Sequence, residues 1–256
     1  MKIFDTHAHY DDEAYEEDRP VVLSEIHRQG VTHVLNCASS WASVERTLHL
    51  AQEYPFVYAA LGIHPSDGRD YTDEVEQRLR ELLRHDRVVA VGEIGLDYYW
   101  EDNPSREWQK EILVRQFELA REAAKPVILH VRDAYGDIMD LLEQHRDLKF
   151  VLHSFSGSPE IAELAVRQGI FLGIGGVATF KNAKKLPEVI RETPLEYLLT
   201  ETDAPYLTPV PYRGKRNRSD YIPYVIEAIA AIKGLAVDET ARILHDNALR
   251  FFGMTT

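Results

Sequence analysis

The chain has 256 residues, 45% hydrophobic and 28% charged, with 42 acidic against 29 basic side chains and a formal net charge of -13. That balance disfavours broad wrapping of nucleic acid, which needs a basic footprint, and the single cysteine, Cys37, excludes an intrachain disulfide and a Cys-rich zinc site. The length suits one α/β barrel. The chain starts on a strand rather than a signal region, and no run reaches the ~18 apolar residues of a membrane span, so the expectation is a single domain over 1–256, cytoplasmic, with no membrane partner.

Short apolar runs predict strands at 3–9, 33–38, 57–64, 88–96, 127–131, 150–154, 170–175 and 197–203. Most are nearly continuous, as in parallel strands covered on both faces. Helical patterns fill the gaps. Residues 20–29 carry Val22 and Ile26 and stop at Gly30, and 44–54 align Val44, Leu48 and Ala51. Residues 75–83 follow the same logic, as do 108–124 ahead of Pro126, 138–142 and 161–166. At 182–192 Pro187 interrupts the pattern. Two amphipathic stretches in 219–253, the second capped by Asp238, read as closing helices rather than a second domain. Strands alternating with helices along one chain predict a (β/α)8 TIM barrel. An open doubly wound sheet is the second reading, disfavoured because no Gly-x-Gly-x-x-Gly turn follows the first strand.

Catalytic groups of such a barrel sit at the C-terminal ends of its strands. Here those ends read His7 and His9, His64, Glu93, His130, His153 and Asp203. Taken singly, His130 and His153 read as core histidines, Asp203 as a turn cap and His64 as the start of a turn. Glu93 inside Val91-Gly92-Glu93-Ile94-Gly95 is different, because an unpaired carboxylate in an apolar run is costly to bury. Together, His7, His9, His130, His153, Glu93 and Asp203 are the right mixture for one or two divalent cations, and too many for a single tetrahedral zinc. A two-metal site suits phosphodiester hydrolysis.

The ordered set Phe4-Asp5-Thr6-His7-Ala8-His9, Gly62-Ile63-His64-Pro65, Gly92-Glu93-Ile94-Gly95-Leu96-Asp97, Leu129-His130-Val131-Arg132-Asp133, His153-Ser154-Phe155-Ser156-Gly157, Glu201-Thr202-Asp203-Ala204-Pro205 and Arg213-Gly214-Lys215-Arg216-Asn217 resembles the TatD family of metal-dependent deoxyribonucleases. The resemblance runs nearly the full length. It implies a barrel, a pair of divalent cations (Mg, Mn or Zn) and hydrolysis at DNA ends, of the 3′–5′ exonuclease type. By the family pattern His7, His9 and Asp203 hold one ion, His130 and His153 the other, and Glu93 bridges them. Ser154 stands where the family often has cysteine.

The mechanism that follows is attack on phosphorus by a metal-activated hydroxide. Asp203 is expected to receive the nucleophile's proton, with Glu201 second and His64 assisting the leaving oxygen. Arg213, Lys215 and Arg216, in a loop after the last strand, and Arg132 are expected to bind phosphate. The expected partner is a DNA end, single-stranded, with no obligatory protein partner. Two alternatives stay open: a metal-dependent ester or amide hydrolase such as a D-aminoacyl-tRNA deacylase, and a non-catalytic quality-control or binding protein on the same barrel.

Overall fold

The computed structural model describes residues 1–255. Eight strands form one sheet in sequence order: β1 Ile3–Ala8, β2 Val31–Cys37, β3 Val57–Leu61, β4 Val88–Asp97, β5 Val127–Arg132, β6 Phe150–Leu152, β7 Phe171–Ile174 and β8 Leu198–Thr200. Every adjacent pair is parallel. The barrel closes just beyond β8. There Asp203 N–H donates to His7 O at 2.9 Å and His9 N–H to Ala204 O at 2.8 Å, with Ala8 and Ala204 bridged in parallel.

The helices are α1 Arg19–Arg28, α2 Trp41–Glu53, α3 Asp73–Leu82, α4 Arg106–Ala123, α5 Tyr135–Gln144, α6 Pro159–Arg167, α7 Leu186–Glu192, α8 Ile222–Lys233 and α9 Val237–Phe252. Their starts are set by side chains that accept the free amides of the first turn: Ser40 before α2, Thr72 before α3, Ser105 before α4 and Ser158 before α6. Apolar residues from these helices cover the outside of the sheet in one continuous core. A second cluster lies elsewhere: Phe4, Leu35, Ala60, Ala90, Ile128, Val151 and Leu199 meet Leu249, Phe251 and Phe252 of α9. No helix among the described residues is long and apolar enough to cross a membrane.

All eight sequence-predicted strands are present, and three sequence expectations are corrected. Pro187 does not interrupt α7 but sits in its first turn, where the missing N–H is harmless. Asp238 lies inside the first turn of α9, whose N-cap is Ala236, so it acts there only through its charge beside free amides. Strands β3 and β8 end three residues before His64 and Asp203, and β6 ends immediately before His153. These side chains therefore stand on the loops that leave the barrel. Asp203 adopts a left-handed φ of 56°, a region that aspartate tolerates better than most residues.

Candidate metal centre

The C-terminal mouth of the barrel gathers the six residues expected to bind metal. His7, at the end of β1, and His9 just beyond it present Nε2 atoms 3.1 Å apart. Between them and the opposite wall stands Glu93 of β4, its side chain 5% exposed. Its Oε2 lies 3.2 Å from His7 Nε2 and 3.5 Å from His9 Nε2. Its Oε1 faces the other way, 2.7 Å from His153 Nε2 and 3.1 Å from His130 Nδ1. Asp203 Oδ1 lies 3.4 Å from His9 Nε2 and 3.7 Å from His7 Nε2. Two of the triads whose ligand atoms lie within 4.8 Å of one another are His7–His9–Glu93 and Glu93–His130–His153.

At His9 and His130 the outer nitrogen decides which ring atom turns inward, whereas Nδ1 of His7 and of His153 is buried without a hydrogen-bond partner. His9 Nδ1 bonds the Cys37 carbonyl at 2.8 Å, which takes only a donor, so Nε2 faces the centre with its lone pair. His130 Nε2 lies 3.0 Å from Asp97 Oδ2, so its inward atom is Nδ1. A carbonyl or carboxylate behind a ligating histidine is the usual way to set its tautomer and raise its basicity. The outcome is a ring of acceptors with too few donors among them.

The electrostatics give the same reading. Burial pushes Glu93 up, but the charges of His153 and His7 and the hydrogen bonds of His130 and His153 outweigh it and hold the carboxyl well below its usual range. Asp203 is likewise held down, burial being outweighed by the His9 hydrogen bond and by His153 and His7. In return, burial alone would depress His9, yet the Asp203 hydrogen bond and the charges of Glu93 and Asp203 lift it to about 9. The carboxylates therefore stay ionised and draw positive charge onto His9, His130 and His153, while burial holds His7 down. Divalent cations meet that demand directly, so the donor set fits the metals that the sequence pointed to. The groups that could hold an ion include His7, His9 and Glu93 on one side and Glu93, His130 and His153 on the other.

The remaining expected site residues fall into two groups. His64 joins the centre, its Nε2 3.7 Å from Glu93 Oε1. Its Nδ1 accepts the Ser66 backbone N–H at 3.2 Å, which leaves Nε2 to carry the ring proton. Burial depresses its pKa to about 3, so the ring is neutral. Glu201 is buried behind His153 rather than beside Asp203 on the open side. Its Oε1 accepts the Ser154 N–H and lies 3.7 Å from His153 Nδ1, while Oε2 is buried without a partner. Gly173 makes room for it, since a Cβ there would stand 2.2 Å from Oε2. Ser154 thus matters through its backbone. Arg132 lines the main cavity at the centre, whereas Arg213, Lys215 and Arg216 do not. Arg213 stacks on Phe180, Lys215 lies over Tyr212, and Arg216 is paired with Asp18 at 2.6 Å.

Two residues at the site went without a role in the sequence reading. Asp97 follows Glu93 at i+4 on one strand, so period-two alternation was the signal that would have placed it inside. Asp5 is fully buried and ties β1 to the segment after β8. It accepts from Thr202 N–H at 3.0 Å, Thr202 O–H at 2.6 Å and Ser219 O–H at 2.6 Å, and burial pushes its pKa up to about 7. No local pattern announced it, because Thr202 and Ser219 are 197 and 214 residues away. Close packing also fixes the β4–β5 pair, where a Cβ on Gly95 would meet His130 O at 1.9 Å.

Known proteins are similar to this chain over nearly its whole length. The sequence model of the family described as TatD related DNase matches residues 4–253. An uncharacterized metal-dependent hydrolase of Bacillus subtilis, YabD, is 41% identical over 252 residues, covering 98% of both chains. An uncharacterized metal-dependent hydrolase of Escherichia coli K12, YcfH, is 37% identical over 257 residues, covering 98% of this chain and 96% of its own. The crystal structure of the Escherichia coli TatD homologue YjjV superposes with a TM-score of 0.93 at 34% identity, covering 99% of this chain and 98% of that one. The match spans both the barrel and the residues at its mouth, and this chain belongs to the TatD family of metal-dependent hydrolases.

Proposed function

We propose that the protein is a deoxyribonuclease that removes nucleotides from the ends of single-stranded DNA, using two divalent cations. The observation that carries this reading is Glu93, whose two oxygens address two different histidine pairs at 2.7–3.5 Å. A carboxylate so placed is built to sit between two ions. When bound, such a pair lowers the pKa of water and neutralises charge on the attacked and leaving oxygens of a phosphodiester.

The chain's own residues supply the rest. Asp203 is held ionised at the edge of the main cavity and accepts the proton of the attacking water. His64, neutral with the proton on Nε2, donates a hydrogen bond to the leaving oxygen from the same cavity wall. Glu201 and Asp97 are positioning residues that hold His153 and His130 from behind. Arg132, exposed on that wall, offers a planar fork to a phosphate.

The test is incubation of purified protein with end-labelled single-stranded DNA, with added metal and with chelator, beside Asp203→Asn. Metal-dependent shortening from one end, lost in the variant, is the expected result. Hydrolysis of carboxylic esters with no cleavage of DNA under any metal would overturn the nuclease reading.

A further inference from the structure

The centre lies between two cavities of opposite charge. His64, Glu93 and Tyr206 line both. The larger, about 770 Å³, carries Arg132, Lys184 and Lys185 and has no carboxylate beyond Glu93 and Asp203 of the centre. The smaller, about 570 Å³, carries Asp11, Asp12, Glu13 and Asp67 against the single cation Arg46. Among the described residues, none of the three cations of the larger cavity is paired with a carboxylate. By contrast, Arg216 is held by Asp18, Arg218 by Glu25 and Asp220, and Arg46 lies 3.8 Å from Asp11. In a protein of net charge -13, unpaired cations gathered in one cavity mark where a polyanion is tolerated.

An aromatic step adjoins the same side. The Arg132 guanidinium lies 3.7 Å over the Tyr99 ring and 5.3 Å from that of Trp100. The two rings meet edge to face at 4.7 Å, and Trp100 is 56% exposed. Exposed aromatic faces beside a cationic groove are how proteins grip unpaired strands without reading sequence. Tyr206, whose hydroxyl donates to Asp12 at 3.0 Å, stands at the boundary between the two cavities.

We infer that the strand is held on one side of the centre only. Its phosphates lie between Arg132 and the Lys184–Lys185 pair, its bases rest against Trp100 and Tyr99, and the acidic cavity on the far side refuses a further phosphate. This rests on the nuclease reading and deepens it: cleavage is confined to ends because a continuing polyanion has no place past the centre.

The inference is tested by binding, with the full-length protein as purified and a fluorescein-labelled phosphorothioate 12-mer, by anisotropy across a salt series. The double variant Lys184→Ala, Lys185→Ala is expected to weaken binding tenfold or more and to flatten the plot of log affinity against log salt by about 1.4, at ~0.7 per phosphate contact. Trp100→Ala is expected to weaken it about fivefold or more through lost stacking. Lys215→Ala removes a charge away from the cavity and is expected to change little. The double variant Glu13→Gln, Asp67→Asn is expected to bind as well or better. If Lys215→Ala weakens binding as much as the cavity lysines do, or if the acidic variant binds worse, the inference falls. Binding that behaves as stated, without cleavage of a phosphodiester strand, keeps the inference and overturns the nuclease reading. Cleavage with binding indifferent to Lys184 and Lys185 does the reverse. Thermal melts of each exposed-site variant confirm that folding is unchanged.

Discussion

At the lower end of the barrel Ile128, Val151 and Leu199 pack with Phe4, Phe251 and Phe252 in an apolar cluster. Two residues further along the same segments stand His130, His153 and Glu201, among buried carboxylates. Two residues of strand span roughly 7 Å, and side chains at i and i+2 share a face. One interior face therefore passes within that distance from packing to chemistry. The lower end contributes stability through burial, at ~25 cal/mol per Å² of apolar surface. The upper end gathers charges that burial alone would penalise, and Glu93, Asp97, Asp203 and Glu201 there each face an imidazole that offsets the penalty.

The comparison breaks most sharply at Glu93. Glu93→Gln should empty the centre and cut hydrolysis by far more than the ~10–100-fold that follows loss of a partner behind a ligand. The fold should persist, because the lower end is untouched. Kinetics, metal analysis and a thermal melt on one preparation check both halves, and a collapsed melt would show that the two ends are not independent. The converse change is Phe251→Ala, at a residue 2% exposed and packed on Phe171 at 5.0 Å. It should cost about 3–5 kcal/mol in denaturant unfolding, while the folded fraction keeps its metal content and turnover.

Smaller effects sharpen the boundary. Glu201→Gln and Asp97→Asn leave the ligands in place but loosen His153 and His130. Each should lower metal affinity by about 10–100-fold, read by calorimetric titration, with little change in melting temperature. If affinity is unmoved, these carboxylates serve packing alone.

The outer helices form a third region that should move neither end. Glu76 of α3 is bound by Arg115 at 2.6 Å and Arg80 at 2.9 Å. Burial raises its pKa, but the two arginines outweigh that and hold it below the ordinary value. A depressed carboxylate stabilises the fold above its unfolded pKa of about 4.3 and loses that contribution as pH falls through the folded value. Glu76→Gln should therefore cost at most ~1 kcal/mol at pH 7. The difference from wild type should fade in melts below about pH 4, and a gap that stays constant with pH would deny the ion pair any part in it.

How much was legible in advance differs by region. The strands were readable because parallel strands buried on both faces must be apolar runs, as in Val127-Ile128-Leu129. The polar residues that the fold gathers at the mouth were readable as candidates because each stands within three residues of the end of such a run, where a costly polar group needs a reason. Their pairing came only from the family resemblance and not from the residues themselves: that Glu93 turns one oxygen to His7 and the other to His153 depends on where strands distant in the chain meet around the barrel. The phosphate-binding expectation for Arg213, Lys215 and Arg216 shows the limit of a local reading. A run of cations signals charge but not its neighbours, and only the fold places Arg216 against Asp18 and brings Lys184 and Lys185 to the cavity. Pro187 and Asp238 were misread for the same reason, since a residue's effect depends on which turn of the helix it occupies.

By itself, the order of apolar runs and polar ends determined a barrel with a metal-binding mouth, because burial and periodicity are properties of short segments. Only the tertiary structure decided how Asp5 joins the first strand to the last segment, which nitrogen each histidine turns inward, and which flank of the centre is cationic. Those depend on contacts between residues distant in the chain, and a Coulomb or hydrogen-bond energy exists only once the partners are within a few ångströms.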